Sequence, residues 1–183
     1  MLKRFSLNMI LVVSLSWTAQ AVQERHGVLV GEVVKLDQGT KTAVIKLGDG
    51  TEHTLHFMGR TAVHGVQATE SGGQDAFHGL KDGSQVAVHY TAKGSRETAE
   101  EVDNVGKDGL KTSDVTVTHI DRGAKTMAVK TADGSKETYQ LTDRAAMDAG
   151  KDIGSGSKKS AKVTVYYTEE GGHKIAHFFK KTI

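Results

Sequence analysis

An all-β chain folded as two tandem five-stranded small barrels is the fold class the sequence predicts. Three observations predict it: the chain repeats itself, its apolar residues alternate along short segments rich in Val, Thr and Ile, and Asp-Gly dipeptides punctuate those segments. Residues 33–62 recur 84 positions later, with Val33, Asp37, Gly39, Lys41, Thr42, Lys46, Asp49, Gly50, Thr54, Arg60 and Ala62 matched by Val117, Asp121, Gly123, Lys125, Thr126, Lys130, Asp133, Gly134, Thr138, Arg144 and Ala146. Residues 86–99 recur 77 positions later. The copies therefore share both ends and differ by a seven-residue deletion in the connection between them, where a surface segment tolerates a change of length.

Each copy reads as five strands. In the first they fall near 28–36, 42–47, 52–57, 85–91 and 97–105, and in the second near 115–120, 126–131, 136–141, 162–168 and 174–179. Neighbouring strand residues point to opposite sides, which assigns the buried face. Ala43, Ile45 and Leu47 point inward on the second strand, Leu55 and Phe57 (Tyr139 and Leu141 in the second copy) on the third, and Val86, Val88 and Tyr90 (Val163, Val165 and Tyr167) on the fourth. Asp-Gly at Asp49, Asp82, Asp108 and Asp133 favours tight two-residue hairpins. A sheet this small leaves exposed edges unless it closes on itself.

The first three strands follow one another by tight turns, a longer segment precedes the fourth, and the last two are again joined tightly. In the second copy the longer segment, Asp143 to Ile153, can form a short helix capped by Thr142 or Asp143. Strand-strand-strand-helix-strand-strand is the order of the OB-fold, so each module is expected to be an OB-like barrel with a short helix or loop between strands three and four. The domain boundaries follow as a signal at 1–21, a first barrel at 22–106, a linker at 107–113 and a second barrel at 114–183. GEVVKLD and VTHID at the start of each copy, the central Asp-Gly hairpins, and GSQVAVHYT or SAKVTVYYT before the last strand resemble the tandem small β-barrel repeats of bacterial secreted proteins. These are turn and barrel positions, so the resemblance implies a fold and a compartment and no activity.

Met1 to Ala21 has the form of a secretory signal: Lys3 and Arg4, an apolar run from Met9 to Leu15, and Ala19-Gln20-Ala21 as a small-x-small cleavage site. The run is shorter than the roughly 20 residues that span a bilayer. A soluble periplasmic or secreted protein beginning at Val22 is expected, with no membrane span after cleavage. The chain has no cysteine, which leaves neither a disulfide framework nor a thiolate metal site. The formal charge of +2 belongs to the signal; residues 22–106 carry 8 basic and 12 acidic side chains, and residues 107–183 carry 14 and 10. Opposite signs on the two modules suit contact between modules or between copies of the chain, within the ~8 Å that screening allows.

Nucleic acid is not an expected partner, because the basic groove and aromatic platforms it needs are missing. Nor is the chain expected to be an enzyme: it has no Gly-x-Ser-x-Gly, His-Glu-x-x-His or phosphate loop, and no cofactor is implied. The first functional expectation is a non-enzymatic module that binds an envelope protein, a peptide or a glycan. Its contact surface would be the outward face of strands two and three, with Lys46, Lys130, Thr54, Thr138, His56 and Gln140. The alternative is a histidine-based protein that binds or buffers a divalent metal. Six of the nine histidines, His26, His53, His56, His64, His78 and His89, lie in the first module. His56 and His89 share outward parity, and the loop residues His64 and His78 could join them as ligands. The second copy has Gln140, Asp148 and Tyr166 where the first has His56, His64 and His89, so such a site belongs to one module only.

Overall fold

A computed structural model describes residues 23–65, 79–154 and 161–182. The expected signal, His78 and the glycine pair Gly72-Gly73 lie outside the described residues. The first module contains β1 (Glu24–Asp37), β2 (Thr42–Leu47), β3 (Glu52–His64), β4 (Gln85–Lys93) and β5 (Arg96–Asn104). The second contains β6 (Lys111–Asp121), β7 (Thr126–Thr131), β8 (Lys136–Leu141), α1 (Asp143–Asp148), a π-helical turn (Ala149–Gly154), β9 (Ala161–Glu170) and β10 (His173–Lys181). Because β6 begins at Lys111, the last three residues of the expected 107–113 linker are strand.

Both modules close as five-stranded barrels in the order β1-β2-β3-β5-β4 and β6-β7-β8-β10-β9. Every neighbouring pair is antiparallel except β3 with β5 and β8 with β10, the two parallel pairs that close the OB-like topology. Alternation places the cores correctly. Val33, Ala43, Ile45, Leu55, Phe57, Val86, Val88, Ala99 and Val102 fill the first barrel, and Val117, Met127, Val129, Tyr139, Val163 and Val165 the second. Leu47 and Tyr90 pack against the first core while remaining partly exposed. The connections carrying Asp49-Gly50 and Asp133-Gly134 are longer than two residues: the Leu47 and Thr131 amides donate to the Thr51 and Ser135 carbonyls across three intervening residues. Their glycines hold φ of 85° and 90°, the left-handed conformation that only glycine adopts without cost.

The modules diverge after the third strand. In the first copy β3 runs on to His64, through residues expected to be loop; its ladder with β5 breaks between Phe57 and Ala62 and resumes with Ala62 opposite Glu101 and His64 opposite Asp103. Thr61 bridges the break, its hydroxyl donating to the Ala99 carbonyl at 2.7 Å and accepting from the Met58 amide at 2.9 Å. The equivalent residues of the second copy form α1, with Thr142 as its N-cap accepting from the Ala145 amide at 3.3 Å. Gly59, Thr61 and Val63 oppose a helix where Asp143, Ala145 and Met147 permit one.

The two barrels meet along a seam. Ala87 and Val105 of the first module bury against Phe178 of the second, with Val28, Leu110 and Tyr166 around them. Tyr166 stacks on Phe178 with ring centroids 4.3 Å apart. Beside this small apolar patch the seam is polar, with His89, Glu101, Asp103 and His177 buried in it.

Candidate metal centre

Strict alternation along β5 would bury Ala99, Glu101 and Asp103 together inside the barrel. It does not, because β5 carries a β-bulge: Ala99 pairs with Tyr90 and Glu101 with His89, leaving Glu100 as the extra residue. The bulge moves the core position from residue 101 to Val102 and turns Glu101 and Asp103 out of the barrel toward the seam. The second module has the same device in the same place. Between Ala176 and Phe178 of β10 the ladder skips His177, which occupies the bulge position that Glu100 holds in the first.

These two bulges and the extension of β3 bring together residues far apart in the chain. Asp103 is 0 % exposed, Glu101 and His177 each 3 %, and His64 at the end of β3 is half-buried. Nε2 of His64 lies 3.5 Å from Oε2 of Glu101, and Nδ1 of His177 lies 2.9 Å from Oδ2 of Asp103. One ligand atom from each of His64, Glu101 and Asp103 falls within 4.8 Å of the other two. Glu101 Oε2 accepts the Arg144 amide at 2.9 Å. The remaining polar atoms, Glu101 Oε1, both Asp103 carboxylate oxygens, His64 Nε2 and His177 Nδ1, are buried with no hydrogen-bond partner among the described residues.

Local charges bias the cluster. The Glu101 carboxylate beside His64, with Asp103 and Asp143 adding to it, raises the imidazole pKa above its ordinary 6.5 against the opposing effect of burial. For Glu101 itself burial acts upward, but His64, the Thr142 hydroxyl and the Arg144 amide outweigh it and hold the carboxyl below its ordinary 4.5. A second set of groups locks the seam next to the cluster. His89 Nε2 donates to the His177 carbonyl at 2.9 Å, and its Nδ1 stands 3.6 Å from Asp148. The Arg144 guanidinium donates to Asp148 and to Glu100, joining α1 of the second module to β5 of the first.

Of the histidines singled out as ligands, the structure places His64 in the cluster and His89 beside it. His89 points out of its barrel as expected, but the second module covers it, so it is buried rather than exposed. His56 sits apart: the parallel β3–β5 pairing puts β5 between β3 and β4, with Thr42 and Thr98 opposite His56, so His56 and His89 are not on neighbouring strands. His53 pairs with Glu97 at 2.9 Å. Lys46, Thr54, Lys130, Thr138 and Gln140 are exposed on the outward faces of β2–β3 and β7–β8. The two faces differ in charge, since Lys46 lies opposite Glu52 and Lys130 opposite Lys136. Sequence reading missed Glu101, Asp103 and His177. One signal was present: polar residues at 100, 101 and 103 interrupt the alternation of the last strand.

No family model matches the chain, and no curated protein is similar to it. Among solved structures it is similar to silver(I)-bound CusF, at 14% identity and a TM-score of 0.31, over 43% of this chain and 95% of that one. It is likewise similar to apo-CusF from Escherichia coli, at 14% identity and a TM-score of 0.32, over 46% of this chain and 93% of that one.

Proposed function

We propose that the protein is a non-enzymatic binder of a divalent first-row transition metal, exported from the cytoplasm, with one site at the seam of its two barrels. The observation that carries this reading is the convergence of buried, unpartnered donor atoms on His64, Glu101 and Asp103. An ionised carboxylate taken out of water without a donor is costly, and a bound cation removes that cost for several oxygens at once. Imidazole nitrogen with carboxylate oxygen and no sulfur is a borderline donor set, suited to zinc and its divalent neighbours rather than to soft monovalent ions. An ion at about 2.0–2.2 Å from each donor draws them to roughly 3.3–3.6 Å from one another, the separation His64 and Glu101 already have.

The second module cannot hold a matching site, because Asp148, Phe178 and Lys180 stand where the first has His64, Glu101 and Asp103. Sequestration or delivery of an ion needs one such site. Export is supported by the signal-like segment of residues 1–21.

Zinc titration of the purified, chelator-stripped protein tests the reading. One equivalent is expected to bind and to raise the thermal unfolding midpoint. At a free zinc concentration of 100 Kd the stabilisation is about 2.7 kcal/mol. Asp103→Ala is expected to lose both effects. A wild type that takes up no zinc, or a variant that responds as the wild type does, rejects the site.

A further inference from the structure

We infer that His177, supplied by the second barrel, is the fourth ligand, so that both modules hold the ion jointly. This rests on the metal reading above and adds to it the residue that closes the site. His177 Nδ1 is 2.9 Å from Asp103 Oδ2, close enough for an ion pair, yet neither atom makes a hydrogen bond among the described residues. Two unpartnered donor atoms held side by side in a buried seam can share a cation.

The far side of the ring supports the same assignment. His177 Nε2 is 2.9 Å from the Thr168 hydroxyl, itself buried. An imidazole that donates from Nε2 to that oxygen leaves a lone pair on Nδ1, facing Asp103. Metal-binding histidines are typically oriented in this way by a hydrogen bond from their other nitrogen. His89, the other buried imidazole of the seam, is spent differently: its Nε2 donates to the His177 backbone carbonyl and its Nδ1 faces Asp148. It holds β10 in place, and its Nδ1 is turned to Asp148 rather than to the three-residue cluster.

The bulge in β10 aims His177, as the bulge in β5 aims Glu101 and Asp103. Two imidazoles and two carboxylates make four protein donors, the number of a closed tetrahedral site with no position kept for substrate. The site is complete only when the barrels are docked, and the seam that completes it is secured by Arg144 and His89. Duplication supplied the framework: Glu100 and His177 occupy one position in two copies, and only the pairing of the first copy's acids with the second copy's histidine makes a site.

The experiment uses the full protein with zinc, in competition against a chromogenic chelator, and with cobalt(II) as the spectroscopic probe of coordination. The wild type is expected to bind one ion and to show the intense visible absorption of four-coordinate cobalt. His177→Ala is expected to lower zinc affinity by more than the roughly 10- to 100-fold that loss of a supporting hydrogen bond costs, and to lose the four-coordinate spectrum. Thr168→Val is expected to stay within that range and keep the spectrum. The nitrogen chemical shift of His177 Nδ1 in the wild type, recorded with and without zinc, reads ligation even if the alanine variant misfolds. If His64→Ala abolishes binding while His177→Ala keeps the affinity and spectrum, and the Nδ1 shift does not move, the second barrel contributes no ligand and the inference falls. If the wild type binds neither ion, the metal reading itself falls.

Discussion

Asp37 and Asp103 are the same side chain with opposite consequences. Asp37 is exposed at the first turn, where its carboxylate accepts the Thr40 amide at 2.9 Å, and its pKa is lowered chiefly by that bond. Asp49 is lowered in the same way by the Thr51 amide, and Asp133 by the Thr131 hydroxyl and the Ser135 amide. Such a carboxylate ties a turn and nothing more. Asp103 accepts no hydrogen bond among the described residues, which is why it reads as half of an interaction. The turn acids carry a pH dependence with a definite sign. A carboxyl whose folded pKa lies below its unfolded value stabilises the fold at pH above the unfolded 3.8, and that contribution is lost as pH falls through the folded value. The thermal midpoint is therefore expected to drop between about pH 5 and pH 2.5, and to drop less in the triple variant Asp37→Asn, Asp49→Asn, Asp133→Asn. Equal slopes for the two proteins would show that the turns are not responsible.

At the level of the element, one module sequence supports two local structures. The segment after the third strand continues as strand to His64 in the first copy and winds into α1 in the second, although Arg60 and Arg144 correspond. Composition decides between them, with a glycine and two β-branched residues on one side and a cap with helix-tolerant residues on the other. The difference shapes the seam: strand delivers His64 to Asp103, while helix delivers Arg144 to Glu100. Elsewhere the copies keep each other's strain. Lys41 and Lys125 hold φ of 53° and 51° at the same turn, and their carbonyls accept from the Phe57 and Leu141 amides at 2.8 Å. A left-handed conformation costs a side-chain-bearing residue roughly 1–2 kcal/mol, of which glycine's extra chain entropy cancels part. Lys41→Gly and Lys125→Gly are each expected to stabilise the protein by about 0.5–1 kcal/mol in urea unfolding. A loss of stability in either would mean that the lysine makes up for its backbone through its side chain.

For the molecule as a whole, the seam matters more than either barrel. It holds one small apolar patch and a dense set of buried charges, a combination with little stability to spare unless each charge is matched. The opposite net charges of the modules are expressed there in particular groups, Arg144 of the second against Glu100 and Glu101 of the first. Repeat-related arginines give a matched comparison. Arg144→Ala strips the partner from Glu100 and Asp148 and is expected to cost on the order of 3 kcal/mol. Arg60→Ala, at an exposed position, is expected to change stability by less than about 0.5 kcal/mol. Denaturant unfolding of the two variants measures both; similar small losses would mean that the seam contributes little to holding the modules together.

The repeat, the order of elements along the chain, the closed five-stranded modules, most of the inward faces and the capped helix after Thr142 were legible in the linear chain. They depend on local periodicity and turn chemistry, which act between residues a few positions apart. The candidate site depends on neither. His64 becomes a neighbour of Asp103 only through a parallel pairing resumed after a break, and His177 only through the docking of a second barrel. The two bulges each shift a face by one residue, and strict alternation predicts the opposite side from that point on. Histidines counted along the chain raised a metal only as the alternative; which of them meet the two buried acids was decided by long-range pairing and by the seam, because burial from both sides takes those carboxylates out of water.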